Sequence, residues 1–192
     1  MANEPLDTQL LDKAIEFAVK AHSGTARRGK GFPYIVHPME AMEIVSTMTA
    51  DQELLAAAAL HDTVEDTGVT VEQLREEFGD RIAELVASES DTIDEGVSEE
   101  ESWRSRKEAG IRRLSRATRD EKIVALGDKL SNMRAIARDY AEQGEAFWNI
   151  FHAKDPKEHA WRYRALADAM RELEGTAAFS EFESLIEKVF GK

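Results

Sequence analysis

Leu54-Leu55-Ala56-Ala57-Ala58-Ala59-Leu60-His61-Asp62-Thr63-Val64-Glu65-Asp66-Thr67 sets an apolar, alanine-rich run directly against an imidazole and three carboxylates. A helix built from Leu54 to Leu60 is apolar on nearly every face and belongs in the interior. Its last turn then carries His61 and Asp62 into the core. Buried charge needs a partner, and a divalent cation suits adjacent histidine and aspartate.

Two further ligands of the same kind stand next to helix signals. His37 precedes Pro38, a residue that fits a first helical turn, so His37 lies at a helix entrance. Asp128 follows the apolar run Ile123-Val124-Ala125-Leu126-Gly127, which predicts a second core helix and a carboxylate aimed at something that compensates it. Any one of these residues alone reads as a satisfied core side chain. Together, two imidazoles and two carboxylates in a chain without cysteine form a nitrogen and oxygen donor set suited to manganese, iron or magnesium, and less to a thiolate zinc site.

The series Ala21-His22-Ser23-Gly24 with Arg27-Arg28, then Pro33-Tyr34-Ile35-Val36-His37-Pro38, then Ala58 to Thr67, then Phe78-Gly79, then Asp128-Lys129-Leu130-Ser131-Asn132-Met133-Arg134 resembles the HD-domain metal-dependent phosphohydrolases. Within them it is most similar to the alarmone hydrolases of the RelA/SpoT type, and the likeness covers most of the chain. The resemblance implies an all-α, single-domain fold of about ten helices spanning residues 1–192, a stand-alone small hydrolase. It implies a metal, usually manganese, held by His37, His61, Asp62 and Asp128. It implies that Glu65 and Asp66 orient the attacking water and take its proton. The reaction it implies removes the 3′-pyrophosphate of guanosine tetra- or pentaphosphate, leaving GDP or GTP and pyrophosphate.

The same resemblance extends to substrate contacts. Asn132 matches a residue lining the nucleoside pocket. The base-stacking arginine falls on Arg27 or Arg28, and counting back from His37 favours Arg28. Arg104 and Lys107 lie on what looks like the family's phosphate-side helix, and Tyr163 lies near a phosphate-contacting position. The chain departs from the family pattern at Thr25, often glutamine, at Gly127, usually alanine, and at Ala135, frequently threonine; the Arg27 to Phe32 loop is one residue longer than in the long bifunctional enzymes. These departures bear on substrate rather than on the metal. Two other readings stand beside the first: the same chemistry on an adenosine alarmone or on the 2′-phosphate of NADPH, and a non-catalytic nucleotide-binding adaptor on the same scaffold.

Length and composition bound the remainder. At 192 residues one domain is the default. The N-terminus shows no basic region followed by an apolar one, and no apolar stretch is long enough for a bilayer, so neither secretion nor membrane insertion is expected. Absence of cysteine fits a reducing cytoplasm. A net charge of -13 argues against a nucleic-acid partner but not against a small phosphorylated ligand, because Arg27-Arg28-Gly29-Lys30, Arg104 to Lys107 and Arg112-Arg113 concentrate positive charge locally. The sequence leaves room for a homo-oligomer without fixing one.

Periodicity predicts helices throughout: about Asp7 to Ser23, Pro38 to Met48, Asp51 to Asp62, one opened by a Thr70 to Gln73 capping box and closed before Gly79, one from Asp80, then Ser102 to Ala117, Asp120 to Asp139, Gly144 to Phe151, Asp155 to Leu173 and Ser180 to Phe190. Gly24 to Gly31 is expected to be a mobile loop and Asp91 to Glu101 a solvated one. His22 is expected to be structural, His152 and His159 to be surface residues, and Trp103, Trp148 and Trp161 to pack in the core or at an interface.

Overall fold

The computed structural model, which describes residues 6–89, 99–151 and 153–191, contains α1 (Gln9–Ala21), α2 (Val36–Ser46), α3 (Gln52–Leu60), α4 (Thr63–Asp66), α5 (Val71–Phe78), α6 (Asp80–Glu89), α7 (Glu99–Ser115), α8 (Arg119–Gln143), α9 (Pro156–Ala169) and α10 (Ala177–Phe190). Two 3-10 segments, Gly144–Ile150 and Arg171–Leu173, flank α9. Among the described residues there is no strand, only an isolated antiparallel bridge between Ala26 and Pro33.

Asp51 starts the central helix, its carboxylate accepting a 2.9 Å hydrogen bond from the Glu53 amide. The all-apolar run forms the body of α3, which is accordingly packed by α1, α2, α6 and α8 at once, with Ala56 to Leu60 fully buried. Alanine makes this possible, because small side chains let several helices approach one axis. Arg81 of α6 bonds Asp51, Glu53 and Asp120, tying the starts of α3 and α8 together.

The longest helix, α8, opens on a capping box in which Thr118 and Glu121 satisfy each other's amides. Its face from Ile123 to Ala137 is buried against α2, α3, α6 and α10. Gly127 sits where α8 meets α2, and a Cβ built there would lie 2.8 Å from the Ala41 carbonyl oxygen and 2.7 Å from Val45 Cγ2. The glycine in place of the usual alanine is therefore a packing requirement. One continuous cluster of buried side chains runs through all of these helices, with Phe147, Phe179 and Phe182 among its largest members.

Several boundaries differ from the sequence expectation. The second helix begins at Val36, so His37 lies inside its first turn and Pro38 still needs no hydrogen-bonded amide. Glu99 already belongs to α7, so its start falls inside the segment read as solvated, while residues 90–98 lie outside the described residues, as does His152. Gly144–Ile150 is a 3-10 rather than an α-helical segment. Gly24 to Gly31, expected to be mobile, is held as a tight turn by the Tyr34 to Thr25 (2.9 Å) and Arg27 to Phe32 (3.2 Å) backbone bonds. His159 is buried, not exposed: its Nε2 meets the Ala153 carbonyl at 2.7 Å and its ring stacks on Trp148. The helical spacing of α9 put the residue on the inner face, and the aromatic cluster made that face apolar.

Candidate metal centre and adjoining cavity

His37, His61 and Asp128, all buried, bring one ligand atom each within 4.8 Å of one another. α2, the end of α3 and the middle of α8 supply them, so no local segment could form the cluster alone. The two Nε2 atoms face each other at 3.3 Å, and His37 Nε2 lies 3.1 Å from Asp128 Oδ1. Asp62 completes the group, its Oδ2 being 2.9 Å from His61 Nε2 and 3.4 Å from His37 Nε2. Three of the four expected residues thus converge, and Asp62 borders them against the two imidazoles.

The surroundings decide which ring nitrogens are available. His61 Nδ1 lies 2.8 Å from the Ala58 carbonyl, an acceptor only, so it carries the proton and leaves the Nε2 lone pair facing inward. His37 Nδ1 is 2.8 Å from Ser131 Oγ, whose hydroxyl donates to Glu40 Oε2 at 2.8 Å, which orients the second imidazole likewise. Burial works against a charge on His61, yet without a cation the carboxylates of Asp62 and Asp128 hold a proton on it, raising its pKa well above the ordinary histidine value, and a bound cation would take the place of that proton. The donor set, all nitrogen and oxygen, fits a divalent cation.

Neighbouring groups hold the carboxylates ionised. Burial opposes the charge on Asp128, but the adjacent Lys129 and the two histidines outweigh it and keep its pKa well below the usual carboxylate range. For Asp62 burial is likewise outweighed, chiefly by His61. Burial also works against the Lys129 ammonium, yet Asp128 and Glu89 hold it charged. Tyr34 donates to Asp62 Oδ2 at 2.6 Å, and burial together with Asp62 and Asp66 pushes its phenol far above the usual range, so it remains a donor.

The metal cluster opens into a cavity of about 150 Å³ that Glu65, Lys107, Lys129, Asn132 and Arg162 also line. A larger one, of about 430 Å³, adjoins it and is lined by Arg28, Lys30, Asp66, Ile136, Asp139, Phe147, Phe151 and Tyr163 among others. Arg27, Tyr34, Asn132 and Arg162 line both, so they stand at the junction. Arg27 donates to Asn132 Oδ1 at 2.6 Å and lies over the Tyr34 ring, and Asn132 donates in turn to Asp128. Glu65 and Asp66, adjacent and exposed at the end of α4, therefore face different chambers.

Of the expected substrate residues, Arg28, Lys107, Asn132 and Tyr163 line these chambers. Arg104 does not. Its guanidinium bonds Glu108 at 2.9 Å and Glu158 at 2.6 Å and lies 3.3 Å from the centre of the Trp161 ring, on the outer side of α7 and α9. The expected helix does border the cavity, but its register puts Lys107 inward and Arg104 outward. Arg162, Lys129, Glu89 and Asp139 were not singled out. Lys129 stood within the quoted motif; Arg162 adjoins Tyr163, and nothing in its own neighbourhood distinguished it from a solvated arginine. His22 packs on Tyr34 with ring centroids 5.0 Å apart and lies outside the ligand cluster.

Comparison with known proteins places the geometry in a family. The profile of the HD domain matches residues 14–154, which include His37, His61, Asp62 and Asp128. The chain belongs to the HD-domain family. Two curated relatives of this HD-domain chain carry the name guanosine-3′,5′-bis(diphosphate) 3′-pyrophosphohydrolase: one from Aquifex aeolicus, 33% identical over 71% of this chain, and one from Haemophilus influenzae, 39% identical over 60%. The match covers 19% and 17% of those proteins, so the chain spans under one-fifth of their length. Among solved structures, a metazoan ortholog of SpoT, described as hydrolysing ppGpp and acting in starvation responses, superposes with a TM-score of 0.78 over 98% of this chain and 100% of its own, at 18% identity. The Listeria monocytogenes protein lmo0812 superposes with a TM-score of 0.70 at 28% identity, over 81% of this chain and 99% of its own. The first likeness speaks to the fold, which is the all-α HD-domain fold the sequence implied.

Proposed function

We propose that this HD-domain protein hydrolyses the 3′-pyrophosphate of guanosine tetra- or pentaphosphate, giving GDP or GTP and pyrophosphate. The observation that carries the reading is the two-chambered cavity. One chamber has converging metal ligands and a carboxylate; the other is broad, partly apolar and edged with arginine and lysine. A nucleotide with a reactive phosphate at one end and a planar base at the other fits that division.

His37, His61, Asp62 and Asp128 would hold the cation, and manganese is the ion we assign. When bound, such an ion lowers the pKa of a water and neutralises charge on the phosphate under attack. The chain's own groups do the rest. Glu65 orients the attacking water and accepts its proton, and Asp66 relays it toward the outer chamber. Lys107, Lys129 and Arg162 meet the charge that develops on the departing pyrophosphate. Tyr34 keeps Asp62 turned toward the cluster. Arg28 stacks on the base, while Arg27, held by Asn132, sits at the junction beside the ribose. The substrate is a small nucleotide, and a cysteine-free chain suits a reducing cytoplasm, where such nucleotides occur.

The test is direct. Purified protein is titrated with manganese and given the guanosine compound, its adenosine counterpart and NADPH, and released pyrophosphate and phosphate are measured. Manganese-dependent pyrophosphate release from the guanosine compound, abolished in Asp128→Asn together with the bound metal, is the expected result. Faster cleavage of the adenosine compound or of NADPH would overturn the substrate assignment, and no turnover of any of the three with any divalent ion would overturn the enzyme reading.

A further inference from the structure

Within the larger chamber one feature is out of keeping with its surroundings. Asp139 is buried, its side chain 7% exposed, and lines the chamber together with Ile136, Phe147 and Phe151. It lies on the stripe of α8 that begins at Asp128 and continues through Asn132 and Ala135, eleven residues and about 16 Å beyond the metal ligand along the helix axis. Lys30, from the glycine-rich turn, donates to Asp139 Oδ1. Among the described residues no hydrogen bond uses Oδ2. A buried carboxylate with one oxygen unspent, beside an ammonium with donors to spare, is an unfinished polar pattern facing a cavity.

We infer that Lys30 and Asp139 together read the Watson–Crick edge of guanine. This rests on the nucleotide-hydrolase reading above and adds the source of its base preference. Guanine presents an acceptor, O6, beside two donors, N1–H and the 2-amino group. Lys30 Nζ offers a donor for O6, and the Asp139 carboxylate offers acceptors for N1–H and the amino group. Adenine presents a donor at N6 and an acceptor at N1, which sets its N1 lone pair against the carboxylate. The ion pair with Lys30 fixes the carboxylate in place, so it cannot turn away, and adenine N1 would face an acceptor with no proton between them.

The competing account is that the ion pair only pins the glycine-rich turn to α8. The two accounts separate in a ratio. Equilibrium binding of GDP, IDP and ADP to the manganese-loaded protein is measured by calorimetry for the wild type and for Asp139→Asn, with metal content and far-UV circular dichroism recorded in parallel. In the wild type GDP should bind about tenfold or more tighter than ADP, with IDP, which lacks the 2-amino group, between them. Asp139→Asn, whose carboxamide can offer adenine both a donor and an acceptor, should lower the GDP to ADP preference about tenfold or more. A variant that weakens GDP and ADP by the same factor would show a clamp and not a reader. Equal wild-type binding of the three nucleotides would overturn the inference whether or not the variant folds. Pyrophosphate release is assayed separately, so a failure of hydrolysis is read in that assay and a failure of base reading in the binding ratio.

Discussion

Gly127→Ala tests whether the close approach of α2 and α8 builds the metal site. In an unconstrained helix the substitution stabilises by up to about 1 kcal/mol, because alanine is the better helix former. Here the added methyl would lie 2.8 Å from the Ala41 carbonyl oxygen and 2.7 Å from Val45 Cγ2. The first is backbone and cannot turn aside, and the second belongs to a β-branched side chain with one favoured rotamer in a helix. Overpacking of this kind costs about 1 to 3 kcal/mol, and with both contacts under 3 Å the upper part of that range, about 2 to 3, leaves a net loss of about 1 to 2 kcal/mol. At about 2 to 4 °C per kcal/mol for a chain of this size, Tm should fall by roughly 2 to 8 °C. The strain is relieved by moving α2 outward, and Ala41 is one turn from His37, whose Nε2 lies 3.1 Å from Asp128 Oδ1. Manganese affinity should therefore fall about tenfold, as for a disturbed supporting shell. Thermal unfolding with and without manganese, and calorimetric titration of the metal, measure both effects. A variant as stable as the wild type with unchanged metal affinity would refute the claim that this contact sets the spacing of the ligands.

Glu65→Gln and Asp66→Asn should retain metal and substrate binding while turnover drops, by about 10²- to 10⁴-fold for Glu65, which lines the metal chamber, and by less for Asp66; unchanged kcat in single-turnover assays would leave the mechanism without its base. Arg162→Ala should raise KM about tenfold or more, since it removes a charged donor at the junction of both chambers, whereas Arg104→Ala should leave KM within about twofold because that side chain is engaged with Glu108, Glu158 and Trp161. The reverse order would put the phosphate site on the outer face of α7. His159 gives a pH signature: burial lowers its pKa below the ordinary histidine value, so below about pH 6.5 the unfolded chain binds a proton that the folded one refuses. Stability should fall with decreasing pH from that point, at a slope approaching about 1.4 kcal/mol per pH unit for this group, and His159→Gln should flatten that part of the curve in urea unfolding. An unaltered slope in the variant would assign the acid sensitivity to other groups.

The residues that bind the fold together were legible to different degrees. An alanine-rich apolar run favours a buried helix over a strand, and helix caps such as Asp51 and the Thr70 and Thr118 boxes are local chemistry, so most elements could be read within two or three residues. The 3-10 segment after α8 could not, because α and 3-10 turns share a sequence pattern and differ only in how the following aromatic residues pack. Arg104 shows the same limit at the site: a run of basic residues on a helix does not say which of them faces inward, and α9 decided that by presenting Glu158 and Trp161 to one and the cavity to another.

The four residues proposed to hold the metal were legible in the sequence itself, because each stands at a local signal: a histidine in the first turn of a helix, a His-Asp pair ending an apolar one, an aspartate inside a core run. Which groups share the cavity with them was decided only by tertiary structure. Arg162 acquires its place from how α9 packs against α7 and α10, Asp139 from how the glycine-rich turn meets α8, and Gly127 acquires its meaning from the carbonyl of Ala41 on another helix. Contacts between side chains remote in sequence depend on the distance and rotation between packed helices, and no periodicity within one helix encodes either.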